Sequence, residues 1–248
     1  MRSRVGGVLA AAIVLAAVKG YAGPQVQIGS DSNCWMKFTV LGQGHFLYTD
    51  NGVDKEDFYL RRGRIILSGQ VMDGVKLFME TDAPNAGKNG AATARVEIQD
   101  IFLDARLNKS DLGEQWLKAG LILLPFSFES RAGAASLLGI DYNTEVMKMV
   151  NTFCWRDYGA ELHGNLSDRF SYIVGAYDGY DSAEGSKNPG ASLRLTGHVA
   201  LNLVGKAETD WFFNQERLGK GAPYVSIGAG IDRQDKATLT YATVAGST

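Results

Sequence analysis

Apolar and polar residues alternate with period two through most of the chain, in one segment after another. That period is the mark of a β-strand with two chemically different faces, because successive side chains in a strand point to opposite sides. Asp100, Phe102, Asp104, Arg106 and Asn108 form one row, and Ile101, Leu103, Ala105 and Leu107 form the other. Leu117, Ala119, Leu121 and Leu123 alternate with Trp116, Lys118, Gly120 and Ile122 in the same way. So do Leu193, Leu195, Val199 and Leu201 with Arg194, Thr196, His198 and Asn202. About ten such segments are expected, near 35–48, 57–70, 75–82, 95–108, 114–124, 157–166, 170–180, 191–204, 223–232 and 236–243. A globular strand averages ~5–6 residues. A strand tilted across a bilayer takes ~9–11, which suits these segments better.

The joins between segments alternate as well. Short ones fall at 71–74, 109–113 and 167–169, and longer polar ones at 49–56, 83–94, 125–156 and 181–190. Short turns on one side and long loops on the other are the habit of outer-membrane barrels. The stretch 205–222 breaks that order, being long on the short-turn side and carrying Trp211, Phe212 and Phe213. A soluble periplasmic sandwich or lipocalin-like barrel has the same period, with its apolar face inward. Strand length and loop alternation favour the membrane form: an all-β, antiparallel transmembrane β-barrel.

The chain has 30 glycines and 5 prolines, which fits strands joined by tight turns. Its net charge of −2, with both signs mixed along the chain, gives no reason to expect nucleic acid. Residues 1–22 read as a signal peptide: Arg2 and Arg4, an apolar stretch from Val5 to Val18, then Gly20-Tyr21-Ala22 before the expected cleavage. The mature part, 23–248, contains no apolar run long enough for a spanning helix. Membrane residence therefore requires a closed barrel, the other structure that satisfies its backbone in lipid. Outer-membrane lipid is the expected surroundings, and residues 23–248 are expected to form one barrel domain.

In such a barrel the polar rows line the lumen. They include Lys37, Gln43, His45, Lys76, Glu80, Asp100, Asp104, Arg106, Lys118, Glu161, His163, Arg194 and His198. The long connection 125–156 is partly apolar, which argues against disorder. It is expected to fold into the lumen, with Glu129 and Arg131 facing solute and a short helix near 143–151; the alternative is an external loop packed on the rim. The segment "DFYLRRGRIILSG" (57–69) sets a puzzle. Arg62 and Arg64 share a strand face, but adjacent Arg61 falls on the other one with Tyr59 and Ile65. A β-bulge near Gly63, or one arginine at headgroup level, resolves it.

No nucleophile-and-base motif surrounds His45, His163 or His198, so no enzyme is expected, and no cofactor or metal. The two cysteines, Cys34 and Cys154, fall on opposite sides of the expected membrane band. That band is about 25 Å tall, far beyond the Cα separation of roughly 7 Å that a disulfide tolerates. No bond between them is expected.

Several segments together resemble the phosphate-selective porin O/P family of bacterial outer-membrane porins. They are "FYLRRGRIILSG", "VEIQDIFLDARL", "LKAGLILLPFSFES", "DYGAELHGNL" and "YIVGAYDGYD", in that order. The resemblance implies a 16-stranded barrel, a homotrimer, and passive diffusion of small anionic, phosphate-like solutes through an arginine-rich lumen. Arg61 and Arg62 match the family's arginine pair, and Arg131 lies near one of its basic loop positions. The lumen or anion-contacting set is thus Arg61, Arg62, Arg64, Arg106, Lys118, Arg131 and Arg194. Members of the family are longer, so a C-terminally truncated member is expected. The competing reading is a non-conducting barrel of the outer membrane: an adhesin, a receptor or the sleeve of a larger complex.

Overall fold

The structure is a computed structural model that describes residues 24–31, 33–48, 56–86, 95–134, 137, 141–143, 155–180, 188, 190–205, 223 and 225–236. The expected signal peptide, the strand at 236–243, the helix near 143–151, the aromatic stretch at 206–222 and Cys154 lie wholly or almost wholly outside those residues. The chain divides into two compact units, Met1–Ile101 and Phe102–Thr248. The hydrogen-bonded strand order is the chain order, from the first strand to the tenth.

The first unit opens with β1 (Gln25–Gln27), a short strand the alternation did not announce. It pairs antiparallel with β2 (Trp35–Tyr48). β3 (Glu56–Met72) and β4 (Val75–Asp82) follow, joined at Asp73-Gly74. Asp-Gly is a strong hairpin signal, because the glycine accepts the positive φ that a tight turn needs. Gly74 has φ 71°. Beyond Asp82 the chain keeps bonding to β3, through Ala83 N–H to the Gly63 carbonyl at 2.9 Å and Asn85 N–H to the Arg61 carbonyl at 3.0 Å.

β5 (Glu97–Ser110) carries the chain into the second unit. There follow β6 (Gly113–Leu123), one helical turn α1 (Phe128–Arg131), β7 (Arg156–Leu166), β8 (Phe170–Tyr177), β9 (Arg194–Val204) and β10 (Val225–Gln234). β6 to β10 form an antiparallel meander. The described strands differ from the periodicity-based spans by no more than a few residues at either end. Among the described elements, α1, like β1, is one that alternation does not predict.

Burial runs opposite to that of a soluble core. Phe38, Val40, Phe58, Leu60, Ile65, Leu103, Val174, Leu195, Val199 and Ile231 are all exposed. Arg62, Arg64, Glu80, Asp82, Asp100, Asp104, Glu161, Arg194 and His198 are buried. A soluble monomer does not present apolar rows of this extent to water. A membrane strand does, because its apolar row meets lipid. A small apolar cluster lies on the buried face of the second unit, made of Ile122, Leu124 and Tyr177 with Phe102 and Tyr180 against it.

Candidate functional site

In the first unit the three arginines of β3 are brought to one face by a register shift. Gln43 of β2 pairs with Arg62, and the next residue, Gly44, pairs with Leu60. Arg61 is therefore the extra residue of a β-bulge, two positions before Gly63 and so near it, as expected. Two residues of β3 now oppose one of β2, and the strand's alternation changes phase. Before the bulge, Phe58 and Leu60 are exposed; after it, Ile65 is exposed while Arg62 and Arg64 are buried. Without the extra residue, one of these two groups would face the wrong way.

The surroundings of the arginines differ. Arg61 donates from Nη1 to Asn85 Oδ1 at 3.2 Å. Arg62, 2% exposed, donates from Nη1 to Gln43 Oε1 at 2.6 Å. Arg64 lies between two carboxylates of β4: its Nη1 meets Glu80 Oε1, and its Nη2 lies 3.1 Å from Asp82 Oδ2. Gln99 also donates to Asp82 Oδ2, at 3.0 Å. A desolvated cation needs such partners, since burying it uncompensated is far costlier. Nearby, His45 Nδ1 and the Tyr59 hydroxyl are 3.2 Å apart.

In the second unit the cations of β5, β6 and β9 are each tied to a neighbour. The Arg106 guanidinium stands over the Trp116 ring, 5.8 Å from its centroid. Lys118 Nζ is 2.6 Å from Glu161 Oε1 and 4.9 Å from the Phe102 ring centroid. The other oxygen of Glu161 accepts from the Tyr177 hydroxyl at 2.8 Å. Arg194 grips Asp232 of β10 with two donors, Nε to Oδ1 at 2.8 Å and Nη2 to Oδ2. That planar fork against a carboxylate is the geometry arginine is shaped for. His163 Nε2 is 2.9 Å from Asp104 Oδ1.

Arg131 ends α1, in the segment that leaves β6. Two serines fold that turn locally: Ser130 N–H donates to Ser127 Oγ at 3.1 Å, and Ser127 N–H to Ser130 Oγ at 3.0 Å. Trp155 Nε1 donates to the Ser130 carbonyl at 2.6 Å, and the Tyr142 hydroxyl to the Ala132 carbonyl at 2.8 Å. Ser130, Ala132 and Ala134 are buried.

The seven expected cations thus form two groups, Arg61, Arg62 and Arg64 in one unit and Arg106, Lys118, Arg131 and Arg194 in the other. Asp82, Tyr177 and Asp232 were not singled out from the sequence, yet they complete these groups. Asp82 continues the row Lys76, Phe78, Glu80, and Asp232 continues Gly228, Gly230, so the same alternation contains their signal.

The family model for "Phosphate-selective porin O and P" matches residues 42–205. The chain belongs to the phosphate-selective porin O/P family. Comparison with curated proteins and with solved structures gave no match. The porin is an outer-membrane β-barrel protein, and its exposed apolar rows and buried charged rows are the arrangement such a protein needs. All seven cations fall inside the matched region, whereas Asp232, the partner of Arg194, falls beyond it.

Proposed function

We infer that the buried, charged face of this porin lines a water-filled passage through which small phosphate-like anions diffuse passively. The observation that carries the reading is the bulge at Arg61, which turns the β3 arginines to the charged face while Phe58, Leu60 and Ile65 stay on the apolar one. A guanidinium offers an oxyanion a planar, bidentate set of donors. Its pull is stronger in a narrow, partly desolvated passage than in bulk water. No bond is made or broken; selection rests on pore width and on the ring of charge, with contacts weak enough to release the solute. Glu80, Asp82 and Glu161 temper the field of the cations beside them, so the preference for anions is graded.

The segment 125–134, with Arg131, is the part of the connection 125–156 that narrows this passage in our reading. Its support is the burial of Ser130, Ala132 and Ala134 and the hydrogen bonds that Trp155 and Tyr142 give to this segment. Export by the signal peptide 1–22 and assembly as a homotrimer complete the proposal, both from the sequence pattern and the family resemblance.

Purified, folded protein in a planar bilayer tests the reading. Under a salt gradient the reversal potential should lie on the anion side. Replacing Arg61 and Arg62 together by alanine should move it toward zero. A folded protein that never conducts would instead be the non-conducting structural or binding barrel.

A further inference from the structure

The segment that leaves β6 meets the wall at an unusual place. A Cβ built on Gly230 of β10 would lie 1.8 Å from the carbonyl oxygen of Phe126 and 2.9 Å from its carbonyl carbon. Backbone cannot yield as a flexible side chain does, so at this distance any residue but glycine must displace the segment. Gly228, two residues earlier on the same row, is far less constrained; its nearest neighbour would be the Val199 carbonyl at 3.2 Å. The close approach is specific to one position of β10.

We propose that Gly230 is a positioning residue: its bare Cα is the seat of the Phe126 carbonyl, and this seat sets where the segment 125–134 and its Arg131 stand against the charged face. β10 thereby shapes the passage without contributing a charge at that point. Phe126 is held from behind as well, since its N–H donates to the Leu124 carbonyl at 3.0 Å and Leu124 is fully buried. The segment therefore has little slack with which to absorb an added methyl. Further along, the Trp155 and Tyr142 hydrogen bonds fix the carbonyls of Ser130 and Ala132. A shift at Phe126 is passed on to Arg131, because only Ser127 separates Phe126 from the single turn α1 that Arg131 ends.

The consequence for conduction rests on the porin reading given above; the seat itself does not. The test uses the full-length chain carrying Gly230→Ala, beside wild type and a Gly42→Ala control, whose added Cβ meets nothing within 4 Å. Two readouts are taken: limited tryptic cleavage after Arg131, and single-channel conductance. Gly230→Ala should lose the protection of Arg131 that wild type and Gly42→Ala retain, and its conductance should fall as the segment is pushed off the wall and further into the passage. A tryptic pattern indistinguishable from wild type would overturn the seat. If wild type itself fails to conduct, the porin reading fails, and the protease comparison still decides the seat. If Gly230→Ala does not fold, it is repeated in a chain whose residues 126–134 are replaced by a short Gly-Ser link. Recovery of folding there supports the seat, and continued failure overturns it.

Discussion

At the scale of single residues, Arg61 decides the direction of its neighbours by being one residue too many. Its companions Arg62 and Arg64 show that cations on one face do not share one environment. Arg62 meets an amide oxygen and Arg64 meets two carboxylates. Cys34 is a different kind of residue, lying before β2 and outside the strands. It is a free thiol. Its Sγ donates to the Val71 carbonyl at 3.5 Å, and its pKa is pushed above the usual thiol value by partial burial, then by the nearby carboxylates of Asp31 and Asp73. The thiolate is the reactive form. A raised pKa therefore leaves less thiolate at neutral and mildly alkaline pH. Alkylation of the Cys34 peptide, followed by mass spectrometry across a pH series, should be slower at pH 8 than for a free cysteine and should climb only at higher pH. A normal thiol profile would contradict this.

At the scale of elements, β3 and β4 are joined by a backbone ladder and by the Arg64–Glu80–Asp82 contacts. Arg64→Ala takes away the cation that both carboxylates share. Breaking a buried pair from one side costs ~3–5 kcal/mol, because the remaining charge is left in a poor solvent. The urea midpoint of refolded protein should drop accordingly, whereas Arg95, exposed beside Glu97, should be replaceable with an effect below ~1 kcal/mol. The strands themselves were legible in the sequence because alternation is a two-letter pattern that lipid and water enforce over many residues. The bulge was legible only as a contradiction, two adjacent arginines that a regular strand would set on opposite faces. That the extra residue of the bulge near Gly63 is Arg61 depends on how β2 aligns with β3, which no residue in β3 encodes alone. β1 is too short to carry a period. α1 had a local signal in Ser127 and Ser130, whose side chains each accept the other's N–H. The seat at Gly230 was not legible, since it pairs residues about a hundred positions apart in the sequence. The alternation also contained Asp82 and Asp232, but their pairing with arginines depends on strand register.

At the scale of the whole molecule, family membership and the inverted burial agree on an outer-membrane porin. In a porin with this register, charged rows face water, apolar rows face lipid, and the phase of β3 changes at Arg61. Cysteine scanning tests this arrangement directly, in a chain with Cys34 and Cys154 replaced by serine. Single cysteines are placed at Phe58, Tyr59, Leu60, Arg62, Arg64 and Ile65, and each folded protein in membranes is treated with a charged, membrane-impermeant thiol reagent. We predict reaction at positions 59, 62 and 64 and none at 58, 60 and 65, an alternation that changes phase between 60 and 62. Reaction at 58, 60 and 65 with silence at 62 and 64, or an unbroken alternation along the strand, would contradict it.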